Sequence, residues 1–232
     1  MLVDFDGTLA PIVADPLAAV ALPGVVDVLR RLTGRCAVVG VVSGRPVSYL
    51  LQRLGPGIRL SGLYGLEAVV DGRSTEAPGA ARWRPLVVAA ATAAADRFPG
   101  RVEDKGLSMT LHFRTAPAEE RAIRDWAAAE AARTGLVLRP AKASVELHPP
   151  LDRDKGTVVT ELAAGLGAAC FLGDDLGDLP AFAALDGLAD DGVHTVRVAV
   201  GTSETPAALL DRADLVVDGP AGALALLESL AG

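Results

Sequence analysis

Cysteine is nearly absent from this sequence: Cys36 and Cys170 are the whole complement, far apart and each among apolar neighbours. That excludes a disulfide-stapled scaffold and fits buried thiols in a reducing compartment. Also missing is any uninterrupted run of the roughly 18–20 apolar residues that a membrane-spanning helix needs. Half of the residues are nevertheless apolar and the mean hydropathy is +0.35, so a soluble chain with a well-filled core and no membrane partner is expected. Charge enters at once in Met1-Leu2-Val3-Asp4-Phe5-Asp6, with no basic stretch followed by a long apolar one, so the start does not read as a secretory signal and a cytoplasmic location is the expectation. Positive charge is the last shortage. Twenty-two Lys and Arg stand against 29 Asp and Glu, a net charge of −7. No nucleic-acid partner is expected, because neutralising phosphates takes a basic surface. An anionic substrate must then be captured locally, by a metal ion and a few placed cations.

The 232 residues suit one domain carrying a smaller insertion. Leu2 to Phe5 reads as a buried strand running into a loop at Gly7, Pro23 to Leu32 as a helix, and Val38 to Val42 as a β-branched strand covered on both faces. Strand, helix and strand in this order indicate a crossover unit. A helix over Val47 to Leu54 and a short strand at Ile58 to Gly62 continue an open α/β sheet. Between residues 80 and 149 the texture changes. A helix from Trp83 to Phe98, strand-like Val102 to Asp104 and Ser108 to Arg114, a helix from Ala118 to Arg133, and strand-like Leu136 to Arg139 and Ser144 to Leu147 compose an α+β unit. Their polar and apolar residues alternate, as in a sheet covered by helices on one face and open on the other. After residue 150 the first texture returns: a helix (Thr157 to Leu166), a strand (Ala169 to Leu172), a short helix (Pro180 to Ala184) and strands at Thr195 to Val200 and Leu215 to Val217. Residues 1–79 and 150–232 therefore read as one sheet domain that residues 80–149 interrupt.

Three strands end in chemically loaded loops. Asp4-Phe5-Asp6-Gly7-Thr8 sets two carboxylates two positions apart at the carboxyl end of a buried strand, where open α/β sheets build ligand sites. Two like charges there need a cation. Gly173-Asp174-Asp175-Leu176-Gly177-Asp178 follows another strand, and its oxygens are the hard ligands magnesium prefers. Ser43-Gly44-Arg45 puts a hydroxyl and free N–H groups at a third strand end, before a helix start suited to phosphate. Lys155 precedes another helix and supplies a cation.

In that order Asp4 to Thr8, Ser43, Lys155 and Gly173 to Asp178 resemble the four motifs of the haloacid dehalogenase superfamily, over nearly the whole chain. The resemblance implies a Rossmann-like parallel core with an inserted cap of the larger, C2 type. It implies that Asp4 attacks phosphorus, that Asp6 protonates the leaving alcohol and then activates water, and that Ser43, Gly44 and Lys155 hold the phosphoryl oxygens. Magnesium is implied as the cofactor, bound by Asp4, the Asp6 carbonyl and Asp174 with Asp175 and Asp178 in support. The second aspartate, absent from the superfamily's dehalogenases, favours phosphoryl transfer. Within the superfamily, Asp4 to Ile12, Ser43-Gly44-Arg45 and Gly62-Leu63-Tyr64-Gly65-Leu66-Glu67 are similar to trehalose-6-phosphate phosphatases, as are Val102 to Gly106, Leu111 to Arg114 and Val145 to Leu147. This implies sugar contacts from Glu103, Lys105 and Glu146, with Arg45 also on the substrate. Its partners are then a small sugar phosphate and, functionally, a trehalose-phosphate synthase, with the chain a monomer.

Two positions depart from that family's pattern. Leu179 stands where a glutamate follows the aspartate, and Tyr64 where a histidine precedes glycine. Phosphatases of sucrose phosphate or mannosyl-phosphoglycerate share the cap type and stay open as alternatives. A non-catalytic sugar-phosphate-binding domain would have lost some of Asp4, Asp6, Ser43, Lys155 and Asp174, and all five are present.

Overall fold

The computed structural model describes residues 1–13, 18–141 and 143–232. They divide into two compact units, one made of Met1–Thr75 and Arg153–Gly232, the other of Glu76–Asp152. In chain order the first unit begins with β1 (Leu2–Val3), α1 (Val25–Leu32), β2 (Gly40–Val42), α2 (Val47–Leu54), β3 (Arg59–Gly62), β4 (Glu67–Val70) and β5 (Arg73–Glu76). The second unit follows with α3 (Arg84–Arg97), β6 (Val102–Asp104), β7 (Met109–His112), α4 (Glu120–Thr134), β8 (Val137–Ala141) and β9 (Ser144–His148). The chain then returns through α5 (Lys155–Ala163), β10 (Ala168–Gly173), α6 (Leu179–Asp190), β11 (His194–Gly201), α7 (Ala207–Leu210), β12 (Leu215–Asp218) and α8 (Gly219–Ala231).

The first unit is an eight-stranded sheet in the order β12-β11-β10-β1-β2-β3-β4-β5. Every pairing from β12 to β3 is parallel, and β4 turns back antiparallel on β3. Alternation along these strands feeds two cores. Val3, Val41, Leu172 and Val198 join one cluster with α1, α2 and α8, whereas Leu2, Val42, Phe171 and Ala199 join another with α5 and α6. Both faces are therefore covered, which is why the strands read as unbroken apolar runs. Helix α1 shows the complementary pattern: Val25, Val28, Leu29 and Leu32 are its buried residues, one stripe of a 3.6-residue repeat. Helix α6 runs well past the expected end at Ala184, because Leu185 continues the buried stripe of Ala181 and Phe182. The β4–β5 hairpin and α8 have no counterpart in the sequence reading.

The chain leaves β1 for β2 on one side and pairs β1 with β10 on the other only after the second unit has been made. This reversal is the topological switch point, the place where a doubly wound sheet opens a crevice at its carboxyl edge.

The second unit is a four-stranded antiparallel sheet in the order β6-β7-β9-β8. Val87, Ala90, Ala91 and Ala94 of α3 and Ile123 and Ala127 of α4 pack on Met109, Leu111, Val145 and Leu147, forming its core. The opposite face was expected to be open, and its polar side chains are buried instead: Thr110, Ser144, Glu146 and His148 are all nearly inaccessible. In-register pairing aligns Glu103, Thr110, Glu146 and Arg139 in one row across that face. Lys105 reaches Glu146 at 3.4 Å and His112 meets Glu103 at 2.8 Å, so local pairing offsets part of the burial cost.

His148 carries a pH-dependent cost. Its Nδ1 is 2.7 Å from the Pro149 carbonyl, and burial together with Arg139 pushes the imidazole down to about 4, against the pull of Glu146. In the unfolded chain the ring takes up its proton near 6.5. Between these values the unfolded state holds more protons, so stability falls as pH falls from neutrality toward 4. Stability to urea should drop by roughly 1–2 kcal/mol between pH 7 and pH 5 on this account, and His148→Gln should remove that part of the slope. An unchanged slope in the variant would assign the acid sensitivity elsewhere. Among the described residues no helix is long and apolar enough to cross a membrane.

Candidate active site

The carboxyl ends of β1, β2 and β10 lie side by side, and each delivers a charged or hydroxyl-bearing loop. Asp4 follows β1, its backbone N–H bonded to the Leu172 carbonyl of β10 at 2.9 Å. Its side chain is buried. Beside it stand Asp174 and Asp178, and one carboxylate oxygen from each of the three falls within 4.8 Å of the others. Lys155 is the first residue of α5, whose start is fixed by a capping box between Asp154 and Thr157. That geometry sends the Lys155 ammonium into the cluster, 2.7 Å from Asp4 and 2.6 Å from Asp178.

The electrostatics follow from burial. Removal from water raises the Asp4 carboxyl well above the usual range; Asp178, Asp174 and Asp175 add to the effect, and Lys155 opposes it. Burial likewise raises Asp178 against the pull of Lys155. Lys155 loses most to desolvation, yet Asp178, Asp4 and Asp175 outweigh that loss and hold it protonated more firmly than a lysine in water. Three buried carboxylates share one ammonium, and the surplus negative charge is relieved either by protons or by a bound cation. Compact, all-oxygen and anionic, the donor set fits magnesium.

The aspartates divide the work. Asp178 spends one oxygen on Lys155 and the other on the N–H groups of Asp174 and Asp175, at 2.8 and 3.1 Å, so it braces the loop. Asp175 accepts from Gly177 N–H at 2.8 Å and lies outside the three-carboxylate group. Asp4 and Asp174 are the candidates left to face an ion. Gly7 is required at the turn after Asp6: its φ is +78°, and a side chain there would overlap the Asp174 carboxylate.

Asp6 is two residues from Asp4, and the structure brings its side chain to Arg45: Nε meets Oδ2 at 2.7 Å and Nη2 meets Oδ1 at 2.8 Å. Ser43 is buried at the end of β2, its Oγ accepting from Arg45 N–H at 3.2 Å. Gly44 admits the ring of Tyr64, since a side chain on it would come within 2.7 Å of the phenol oxygen. Tyr64 itself has a left-handed backbone (φ 57°, ψ 35°), as does Leu63 before it (φ 51°), so two successive non-glycine residues are strained at the site. Glu67, from the same segment, accepts from Val47 N–H at 3.0 Å and caps α2.

In the second unit Glu103, Lys105 and Glu146 gather on the polar sheet face described above. Sequence reasoning did not single out their neighbours. Among the described residues, Ser108 Oγ, Thr110 Oγ1, Glu146 Oε1 and His148 Nε2 are buried without a hydrogen-bond partner. The available signal was the polar half of the alternation, which burial turns from an ordinary solvated face into a set of unsatisfied donors and acceptors.

Comparison with known proteins agrees with this geometry. The family model described as trehalose-phosphatase matches residues 2–213. A trehalose-phosphate phosphatase of Mycobacterium avium is 37% identical over 244 residues, covering 98% of this chain and 61% of its own. The chain spans half to about three fifths of the length of the curated relatives it matches. Among solved structures, the C-terminal domain of Candida albicans trehalose-6-phosphate phosphatase superposes with a TM-score of 0.79 at 23% identity, over 100% of this chain and 91% of that one. A haloacid dehalogenase-like hydrolase from Bacteroides thetaiotaomicron superposes with a TM-score of 0.67 at 14% identity, over 99% and 98% of the two chains. With its parallel core, its acidic strand ends and this match over most of its length, the chain belongs to the trehalose-phosphatase family.

Proposed function

We propose that the chain hydrolyses trehalose 6-phosphate to trehalose and phosphate, with magnesium as the metal. The observation that carries this reading is the meeting of Asp4 with Lys155, Asp174 and Asp178 at the switch point of the sheet. A carboxylate nucleophile divides one hard displacement into two easier ones. In the first, an Asp4 oxygen bonds to phosphorus, the bond from phosphorus to the sugar oxygen breaks, and Asp6 gives that oxygen its proton. In the second, water bonds to phosphorus, the Asp4–phosphorus bond breaks, and Asp6 takes back a proton. Ser43, the Gly44 backbone and Lys155 hold the phosphoryl oxygens. Magnesium, when bound by Asp4 and Asp174 with the Asp6 carbonyl, neutralises charge that would keep an anionic nucleophile from an anionic phosphate.

Glu103, Lys105 and Glu146 are assigned to sugar hydroxyls, and the unsatisfied Ser108, Thr110 and His148 atoms support a polyhydroxyl ligand on that sheet face. The reading places the enzyme as a cytoplasmic monomer that consumes the product of a trehalose-phosphate synthase. Phosphate release from trehalose 6-phosphate, sucrose 6-phosphate and glucose 6-phosphate, each with magnesium and with chelator, tests it. Magnesium-dependent release at least about tenfold faster from trehalose 6-phosphate is expected. Equal rates on all three would remove the specificity, and release unaffected by chelator would remove the metal.

A further inference from the structure

Asp6 is held in a way that the reaction scheme does not require. Both of its oxygens accept from one guanidinium, that of Arg45, in a two-pronged pair whose side chains are 27% and 10% exposed. Arg45 is itself fixed along its length. Its N–H donates to Ser43 Oγ at 3.2 Å, and its carbonyl accepts from Leu63 N–H at 3.0 Å. Its guanidinium carbon lies 4.7 Å from the centre of the Tyr49 ring. Tyr49, four residues on, packs edge-on against Phe5 at 6.0 Å and donates its hydroxyl to the Ala19 carbonyl at 2.7 Å. Arg53, four residues further, stacks on the same ring at 3.8 Å and donates to the same carbonyl at 3.0 Å. Residues 45, 49 and 53 thus form a column, two of its members on α2 and one just before it, that ends on Asp6.

We propose that Arg45, backed by Tyr49, is a positioning residue that aims the Asp6 carboxyl group; the inference rests on the phosphatase reading above. A planar two-pronged pair fixes the direction of a carboxylate as well as its place. The fork takes one lone pair of each Asp6 oxygen and leaves the outer lone pair of each for the proton that passes to the leaving oxygen, a transfer that needs hydrogen-bond reach in the transition state. The column therefore serves the step in which the sugar oxygen departs, and serves little where the leaving group needs no proton.

Leaving-group dependence separates this role from a structural or phosphate-binding one. For Arg45→Gln, kcat on trehalose 6-phosphate should fall about 50-fold, while kcat on 4-nitrophenyl phosphate, whose phenolate leaves unaided, should fall no more than about fivefold. Tyr49→Leu should show the same imbalance at a smaller scale, and Arg45→Lys should recover only part of the loss because one ammonium cannot reproduce the fork. Equal losses on both substrates, or a raised KM with kcat intact, would overturn the proposal. A second measurement is independent of turnover: thermal denaturation of Asp6→Asn, Arg45→Gln and the double variant. Non-additive shifts, the double variant losing little more than Arg45→Gln, are expected of a coupled pair, and additive shifts would dissolve it. Coupled shifts in a wild type that turns over neither substrate would overturn the phosphatase reading while leaving the pair.

Discussion

Asp4→Asn is expected to lower phosphate release from trehalose 6-phosphate by at least about a thousandfold, with no phosphoryl group trapped on the protein after rapid acid quench. The substitution keeps the volume and the backbone link to Leu172, and removes the carboxylate that the proposed mechanism uses as its nucleophile at the junction of β1, β2 and β10. It also removes a charge from a buried group that carries too many, so the folded protein should gain thermal stability, or at least lose none, when metal is absent. Loss of activity with stability retained is the signature of a functional carboxylate. Retention of more than a tenth of the wild-type rate would show that phosphorus is attacked by another group, water included.

Lys155→Met is the converse experiment, with a large effect on folding as well as on turnover. The ammonium is almost completely buried and stands 2.7 Å from Asp4 and 2.6 Å from Asp178. Deleting one partner of a buried ionic group leaves the others desolvated and unpaired, at a cost of about 3–5 kcal/mol. Urea denaturation in chelator should record that loss. Added magnesium should then raise the midpoint more in Lys155→Met than in wild type, because the ion meets a site with one positive charge fewer. Equal magnesium shifts in both proteins would place the ion away from Asp4 and Asp174.

What could be read without coordinates was whatever lies along one strand or one helix. The bounds of α2 follow from Pro46 and the stripe of Val47, Leu50 and Leu54, and the strands flanking the site declare themselves by short apolar runs. The four motifs are legible because each sits at the end of such a strand or the start of a helix. Contacts between distant loops left no local trace. Nothing in Asp6 or Arg45 separately announces a two-pronged pair across 39 residues. Helix α8 escaped because Gly219 to Ala231 is apolar on nearly every side and offers no stripe, although Asp218-Gly219-Pro220 marks a helix start. Tyr64 was legible as an oddity; its left-handed backbone and the seat of its ring against Gly44 were not.

The pairing of β1 on both sides also sets an order of events during synthesis. Leu2 pairs with Gly40, which is made early, but its other neighbour, Phe171, is made only after the whole second unit. Closing so long a loop is slow, and the waiting strand exposes an apolar edge that a chaperone or a second nascent chain can engage. Lys155 precedes Asp174 and Asp178 in the chain, so the cation is made before those two carboxylates.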